Sequence, residues 1–206
     1  AALVRTGALH PKLNRFIAGK KIYARNQLQV SFIAKQQLAE EGQEMVLKLT
    51  FDPSDCLADV AAKVNSTLGD ARKDGATKGN GLIATLLSLP SFLLSLIFAV
   101  EQHLDSWGML PASLIEADPL YASAFVANLG SLGLGAPYHP LYERGTISLF
   151  VVLGAYKKGT APGEGGQPRD YVDLSFTIDS RIAGGDSIAE ALHTLKELLE
   201  NPKLLA

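Results

Sequence analysis

The run from Gly79 to Val100 carries no charged residue, and its core, GLIATLLSLPSFLLSLIFAV, approaches the roughly 20 apolar residues that span a bilayer. This stretch decides between a membrane protein and a globular one. Pro90 interrupts it midway, and Ser88, Ser91 and Ser95 dilute it. Beyond Pro90 the positions Leu93, Leu96, Val100, Leu104 and Trp107 recur at three- to four-residue spacing into the charged stretch EQHLD. That period predicts a broad-faced helix, buried in the core or in an interface and preceded by a shorter one. A membrane-associated segment from Leu82 to Val100 stands as the alternative.

Composition favours the globular reading. The chain has 206 residues, of which 47% are hydrophobic and 19% charged, enough for one domain with a sizeable core. The net charge of -2 and the dispersed Lys and Arg residues exclude a phosphate-tracking surface, and with it a nucleic-acid partner. Cys56 is the only cysteine, and His10, His103, His139 and His193 lie far apart, so neither a disulfide framework nor a short metal motif can be read. With no signal-peptide pattern at Ala1, a reducing, cytoplasmic compartment is expected. The first residues read as a helix already under way, ending near His10-Pro11.

Elsewhere, strand and helix signals alternate. Arg15 to Arg25 carries two short extended pieces around Gly19-Lys20, and Leu28 to Lys35 and Glu44 to Phe51 are β-rich. Asp52-Pro53-Ser54-Asp55 then opens a helix to about Arg72, with Ser54 or Asp55 as the N-cap. Strands are expected over Ala122 to Ala127, Thr146 to Leu153 and Val172 to Ile178, the last with Val172, Leu174, Phe176 and Ile178 on one face. TAPGEGGQP, from Thr160 to Pro168, reads as a connecting loop. Ser187-x-x-Glu190 matches a capping box, and Ile188, Leu192, Leu195 and Leu199 form the inward stripe of a final helix. The sum is a mixed α/β domain without internal repeats.

Three places invite chemistry. Asp179-Ser180-Arg181 stands where a strand runs into Gly184-Gly185 and a helix, a common seat for reactive groups in α/β proteins. GSLGLG, from Gly130 to Gly135, departs from the GxGxxG order and reads as a turn. His139 lies in a Gly/Pro loop between two strands, where functional groups are often presented, whereas His103 and His193 read as structural or solvent-facing.

The segment LSFTIDSRIAGGDSIAEALHTLKELLENPKLL resembles the C-terminal signature of the dihydrolipoyl acyltransferases of 2-oxoacid dehydrogenase complexes: a strand, then D-H-R-x-x-D-G, then a helix. HPKLNRFIAGKKIYARNQLQVSFIAK resembles the family's helix-to-hairpin segment, and LTFDPSDCLADVAAKVNSTLGDARKDG the stretch where a strand feeds a long helix. AFVANLGSLGLGAPYHP resembles its F-T-I-S-N-L-G loop. The resemblance implies an α/β fold of the chloramphenicol-acetyltransferase-like superfamily, with a mixed sheet flanked by helices and a homotrimer whose active site lies between subunits. It implies a single catalytic domain over residues 1–206, lacking the family's first strand and helix and carrying no lipoyl or subunit-binding domain.

In that family an acyl group passes between a dihydrolipoyl thiol and coenzyme A. A thiol near pKa 8.5 is mostly protonated at neutral pH, so a histidine takes its proton, a serine donates to the oxyanion and an aspartate orders the site. By resemblance the histidine position falls on Ser180, the motif aspartate on Gly184 and the loop serine on Ala127. All three are changed. Asn128, Asp179 and Arg181 remain as the frame of a coenzyme A or acyl-coenzyme A channel, with no metal implied. Two readings follow. One is a coenzyme A-dependent acyltransferase with altered groups, in which Ser180, activated by His139, is the candidate nucleophile. The other is a non-catalytic trimeric binding or scaffold protein that holds an acyl thioester, with Asp179 and Arg181 as a structural ion pair.

Overall fold

A computed structural model describes residues 1–35, 44–74, 88–159 and 168–205. Helix α1 (Ala2–Leu9) leads through a 3₁₀ turn at Pro11–Asn14 into the hairpin β1 (Arg15–Ala18) and β2 (Lys21–Ala24). Gly19 and Lys20 both take positive φ, as the two central residues of a tight hairpin turn must. Strands β3 (Leu28–Lys35) and β4 (Glu44–Phe51) occupy the spans read from their alternation, and helix α2 (Leu57–Asp74) follows. After α3 (Ser91–Ser106) and the short α4 (Ala112–Ala117) come β5 (Ala124–Asn128), β6 (Leu149–Gly159), β7 (Arg169–Ile178) and α5 (Gly185–Glu200). Five strands form one mixed sheet in the order β4-β3-β5-β6-β7, parallel at β3/β5 and β5/β6 and antiparallel at its two outer pairs.

Each sheet face is buried by different means. Val30, Ala124, Val126, Leu149, Val151, Phe176 and Ile178 share the face covered by helices, where Leu3 of α1 touches three apolar clusters at once. On the opposite face Phe125, Ala127, Phe150 and Val152 are covered by the loop after β5, through Leu129, Ala136 and Leu141. An irregular loop can cover a sheet there because aromatic rings anchor it. His139 lies flat on Phe150 at 4.0 Å between centroids, Phe150 stacks on Phe125 at 5.0 Å, and the Tyr142 ring tilts against both phenylalanines.

Several sequence expectations are corrected. Neither Ser54 nor Asp55 caps α2. The Asp55 carboxylate accepts the Asp52 N–H and pairs with Lys63, Asp52 accepts the Ser54 N–H, and the helix starts at Leu57 with the Cys56 N–H donating to Asp59. The acidic side chains satisfy the approach loop first. The Ser187 capping box does not form, because α5 begins two residues earlier at Gly185 and Ser187 accepts from Lys12 Nζ. Of the expected inward stripe Leu195 is buried and Leu192 packs against the same cluster, Ala191 and Leu198 join them, and Leu199 is turned outward.

The largest correction concerns α3. No residue of this helix is buried within the chain, and Phe92 is 74% exposed. The expectation of a core helix fails because its apolar residues surround the cylinder, and among the described residues it meets the domain towards its C-terminal end. There Gly19 packs so closely on the Ser106 carbonyl that a Cβ would collide with it. No described helix is long and apolar enough to cross a membrane. The shorter helix expected before Pro90 and the loop from Thr160 fall largely outside the described residues.

Candidate active site

The strand β7 ends at Ile178, and the Asp179 N–H continues the ladder by donating to the Ser148 carbonyl at 2.9 Å. This bond fixes Asp179 at the sheet's end with its carboxylate largely buried. Arg181 Nε donates to both Asp179 oxygens at 2.8 and 3.1 Å, Arg181 Nη2 donates to Oδ2 at 2.7 Å, and the Arg181 backbone N–H adds a bond of 3.0 Å. Together these hold the Asp179 carboxyl below its ordinary range, the Arg181 side-chain bonds contributing most. The fork is the paired-charge arrangement expected for the tripeptide, and Ser180 between the two is exposed.

A carboxylate whose folded pKa is depressed stabilises the fold above its unfolded pKa and loses that contribution as pH falls through the folded value. Asp179→Asn is therefore expected to flatten the acid limb of the stability profile below about pH 4, as followed by urea midpoints at successive pH values. An unchanged acid limb would show that the ion pair adds nothing to folding.

His139 lies on the loop after β5, over the strand that pairs with β7. Its Nδ1 lies 2.6 Å from the Pro140 carbonyl, and its ring is stacked on Phe150. Neither Ser180 nor His139 lines the cavity of about 470 Å³ that Asp179 and Arg181 border. Among the described hydrogen bonds none joins Ser180 to His139.

Asn128 stands elsewhere. It ends β5, and its Oδ1 accepts the Gly130 N–H at 3.1 Å, which turns the chain into the 3₁₀ segment Gly130–Leu132. Gly130 lies against the Gly154 carbonyl so closely that no Cβ fits. Ala127 and Asn128 border a second, apolar groove of about 680 Å³ with Val30, Val64, Leu132 and Leu153. Register places the two frame regions at opposite ends of the sheet. Asn128 pairs with Leu153, which pairs with Leu174, whereas Ala124 pairs with Leu149, which pairs with Ile178. From Leu174 to Asp179 the chain advances about 17 Å along the strand direction.

The residues that sequence reading missed border the first cavity. Glu101, Asp105, Tyr121, Arg144 and Ser148 all face it. Arg144 Nη2 pairs with Glu101 and, at 2.7 Å, with Asp118, which ties α3 to the loop before β6. The Tyr121 hydroxyl bonds Asp105, yet burial still pushes the Asp105 carboxyl up. Beneath the hairpin, Arg25 donates to the Thr146 carbonyl and hydroxyl at 2.5 and 2.7 Å and lies 4.5 Å over the Phe16 ring. Burial pushes its pKa down to about 10. One signal was available: Glu101 and Asp105, four apart, share a helix face.

Residues 115–206 match the family described as 2-oxoacid dehydrogenases acyltransferase (catalytic domain). The match covers a little under half of the chain. It begins in α4 and takes in β5, β6, β7 and α5, and so includes both the Asn128 turn and the Asp179-Ser180-Arg181 stretch. No curated protein matches the chain.

The fold extends over nearly the whole sequence. The chain is similar to a probable dihydrolipoamide acetyltransferase from Listeria monocytogenes, at 18% identity and a TM-score of 0.62, over 97% of this chain and 67% of that one. It is similar to the dihydrolipoamide acetyltransferase (E2p) of Azotobacter vinelandii, at 16% identity and a TM-score of 0.62, over 99% and 67%. For that protein, a serine, a histidine and an asparagine were investigated for their role in the catalytic mechanism. A truncated catalytic core of the 2-oxoacid dehydrogenase multienzyme complex from Thermoplasma acidophilum has the same fold, at 12% identity and a TM-score of 0.58, over 98% and 73%. These structures establish the mixed α/β fold. The chain spans about two thirds of the length of the first two.

Proposed function

We propose that this chain binds an acyl thioester of coenzyme A in a channel formed between copies of itself, and that it does so without histidine-based acyl transfer. The observation that carries the reading is Ser180 at the motif's histidine position, flanked by Asp179 and Arg181 that are committed to each other. A hydroxyl is no base at neutral pH, and His139, the base that the sequence offers, is stacked on Phe150 with its Nδ1 against the Pro140 carbonyl. The frame around that position is kept. The Asn128-Leu129-Gly130 turn and the Asp179–Arg181 fork hold a shape from which the proton-transfer groups are gone.

The register is in keeping with assembly. The Asn128 groove and the Asp179 cavity lie at opposite ends of one sheet, so a single channel containing both requires a second copy, in keeping with the trimer that the resemblance implies. The groove beside Asn128 supplies apolar volume for an acyl-pantetheine arm.

Two measurements on the purified chain test the reading. Calorimetric titration with acetyl-coenzyme A is expected to saturate, while acetyl transfer to dihydrolipoamide stays at the uncatalysed background. Absence of binding at millimolar ligand would overturn the channel. Turnover lost in Ser180→Ala would instead establish the altered acyltransferase.

A further inference from the structure

We propose that the cavity between α3 and the end of β7 is a binding site for a small organic cation bearing primary ammonium groups, such as an aliphatic diamine. The cavity is the Asp179 end of the channel proposed above, but the inference rests on the cavity's own lining and is tested without a thioester.

Size and chemistry point the same way. The cavity's volume of about 470 Å³ is within the range of small-molecule sites. Glu101, Asp105, Glu143 and Asp179 border it, against two guanidiniums, Arg144 and Arg181. Both guanidiniums are already neutralised, Arg144 by Glu101 and Asp118, and Arg181 by the fork on Asp179. Among the described residues neither Asp105 nor Glu143 has a cationic partner within ion-pair distance. Asp105 sits beside Tyr121, and the several lone-pair sites of a carboxylate leave acceptor capacity for a ligand N–H. An anionic ligand would meet excess negative charge here; an ammonium group would complete it.

A second observation is independent of charge. Ser148 borders the same cavity, is only 1% exposed, and its Oγ is buried with no hydrogen-bond partner. Leaving such a hydroxyl unpaired is unfavourable, and an ammonium N–H supplies the donor that its lone pairs lack. The aromatic lining from Phe98 and Tyr142 suits the alkyl chain between two ammonium groups and offers ring faces to a cation.

Trp107, the only tryptophan, follows α3 directly but does not border the cavity, so binding is read by calorimetry. Titration of the intact chain with 1,4-diaminobutane at constant ionic strength is expected to give a saturable heat where 1,4-butanediol gives none. Asp105→Asn is expected to weaken binding about tenfold, the loss of one charge-assisted hydrogen bond. If Asp105→Asn does not fold, as judged by circular dichroism, Glu143→Gln on the exposed rim serves in its place, with a smaller loss expected. No saturation at millimolar diamine, or the same curve with the diol or the folded variant, would overturn the proposal.

Discussion

Phe150→Ala is expected to destabilise the chain by about 3–5 kcal/mol, read as a lowered urea midpoint. Phe150 is 1% exposed near the start of β6, and three rings converge on it. Removing it leaves a cavity between the sheet and the loop after β5. It also takes away the surface on which His139 lies, so loop order and core density fail together. Tyr156→Ala on the same strand is the control: at 87% exposure it should change stability by less than about 0.5 kcal/mol. A loss below about 1 kcal/mol for Phe150→Ala would mean that the loop is held by its backbone turns rather than by the aromatic stack.

Restoring the missing chemistry should have the largest effect on activity. The triple substitution Ala127→Ser, Ser180→His and Gly184→Asp is expected to raise acetyl transfer from acetyl-coenzyme A to dihydrolipoamide by about 10²-fold or more over the unaltered chain, the usual contribution of a positioned general base. Local geometry accommodates the changes. Ser180 is exposed, Gly184 has an ordinary negative φ with no atom within 4 Å of a built Cβ, and Ala127 already borders the groove beside Asn128. Ser180→His alone should give less, because the oxyanion donor would still be absent. A triple variant that folds, binds coenzyme A and transfers no faster than the unaltered chain would show that the frame no longer places these positions around a thioester.

Local pattern predicted local structure well and long-range placement poorly. The alternation in LQVSFIAK and EMVLKLTF delimited β3 and β4 as observed, because each pleated strand buries one face. The strands β6 and β7 run beyond their apolar residues because hairpin pairing extends them with polar ones: Lys157 Nζ bonds Asp173 across the ladder. A periodicity argument stops where the greasy residues stop. The caps of α2 and α5 were misread for a related reason, since an Asp or Ser near a helix start can satisfy several competing backbone donors and the motif does not say which.

The candidate site divides along the same line. Ser180, Gly184 and Ala127 could be aligned to a motif because they are tied to local turns. Glu101, Asp105 and Arg144 could not, because long-range contacts such as that of Gly19 with Ser106 and the pairing of Arg144 with Glu101 bring α3 over the end of β7. Those contacts join segments that are some eighty and forty residues apart. The uncharged run that opened the question of a membrane thus leads to a helix that walls a cavity with its last turns and leaves its first turns uncovered.

The opposed placement of Asn128 and Asp179 also has a genetic consequence. If each channel draws its two ends from different copies, a chain repaired only at Ala127 and a chain repaired only at Ser180 and Gly184 are each incomplete alone. Co-assembled, they create some junctions with every repaired group present, so two defective alleles in one cell would complement each other. A site contained within one copy would permit no such rescue.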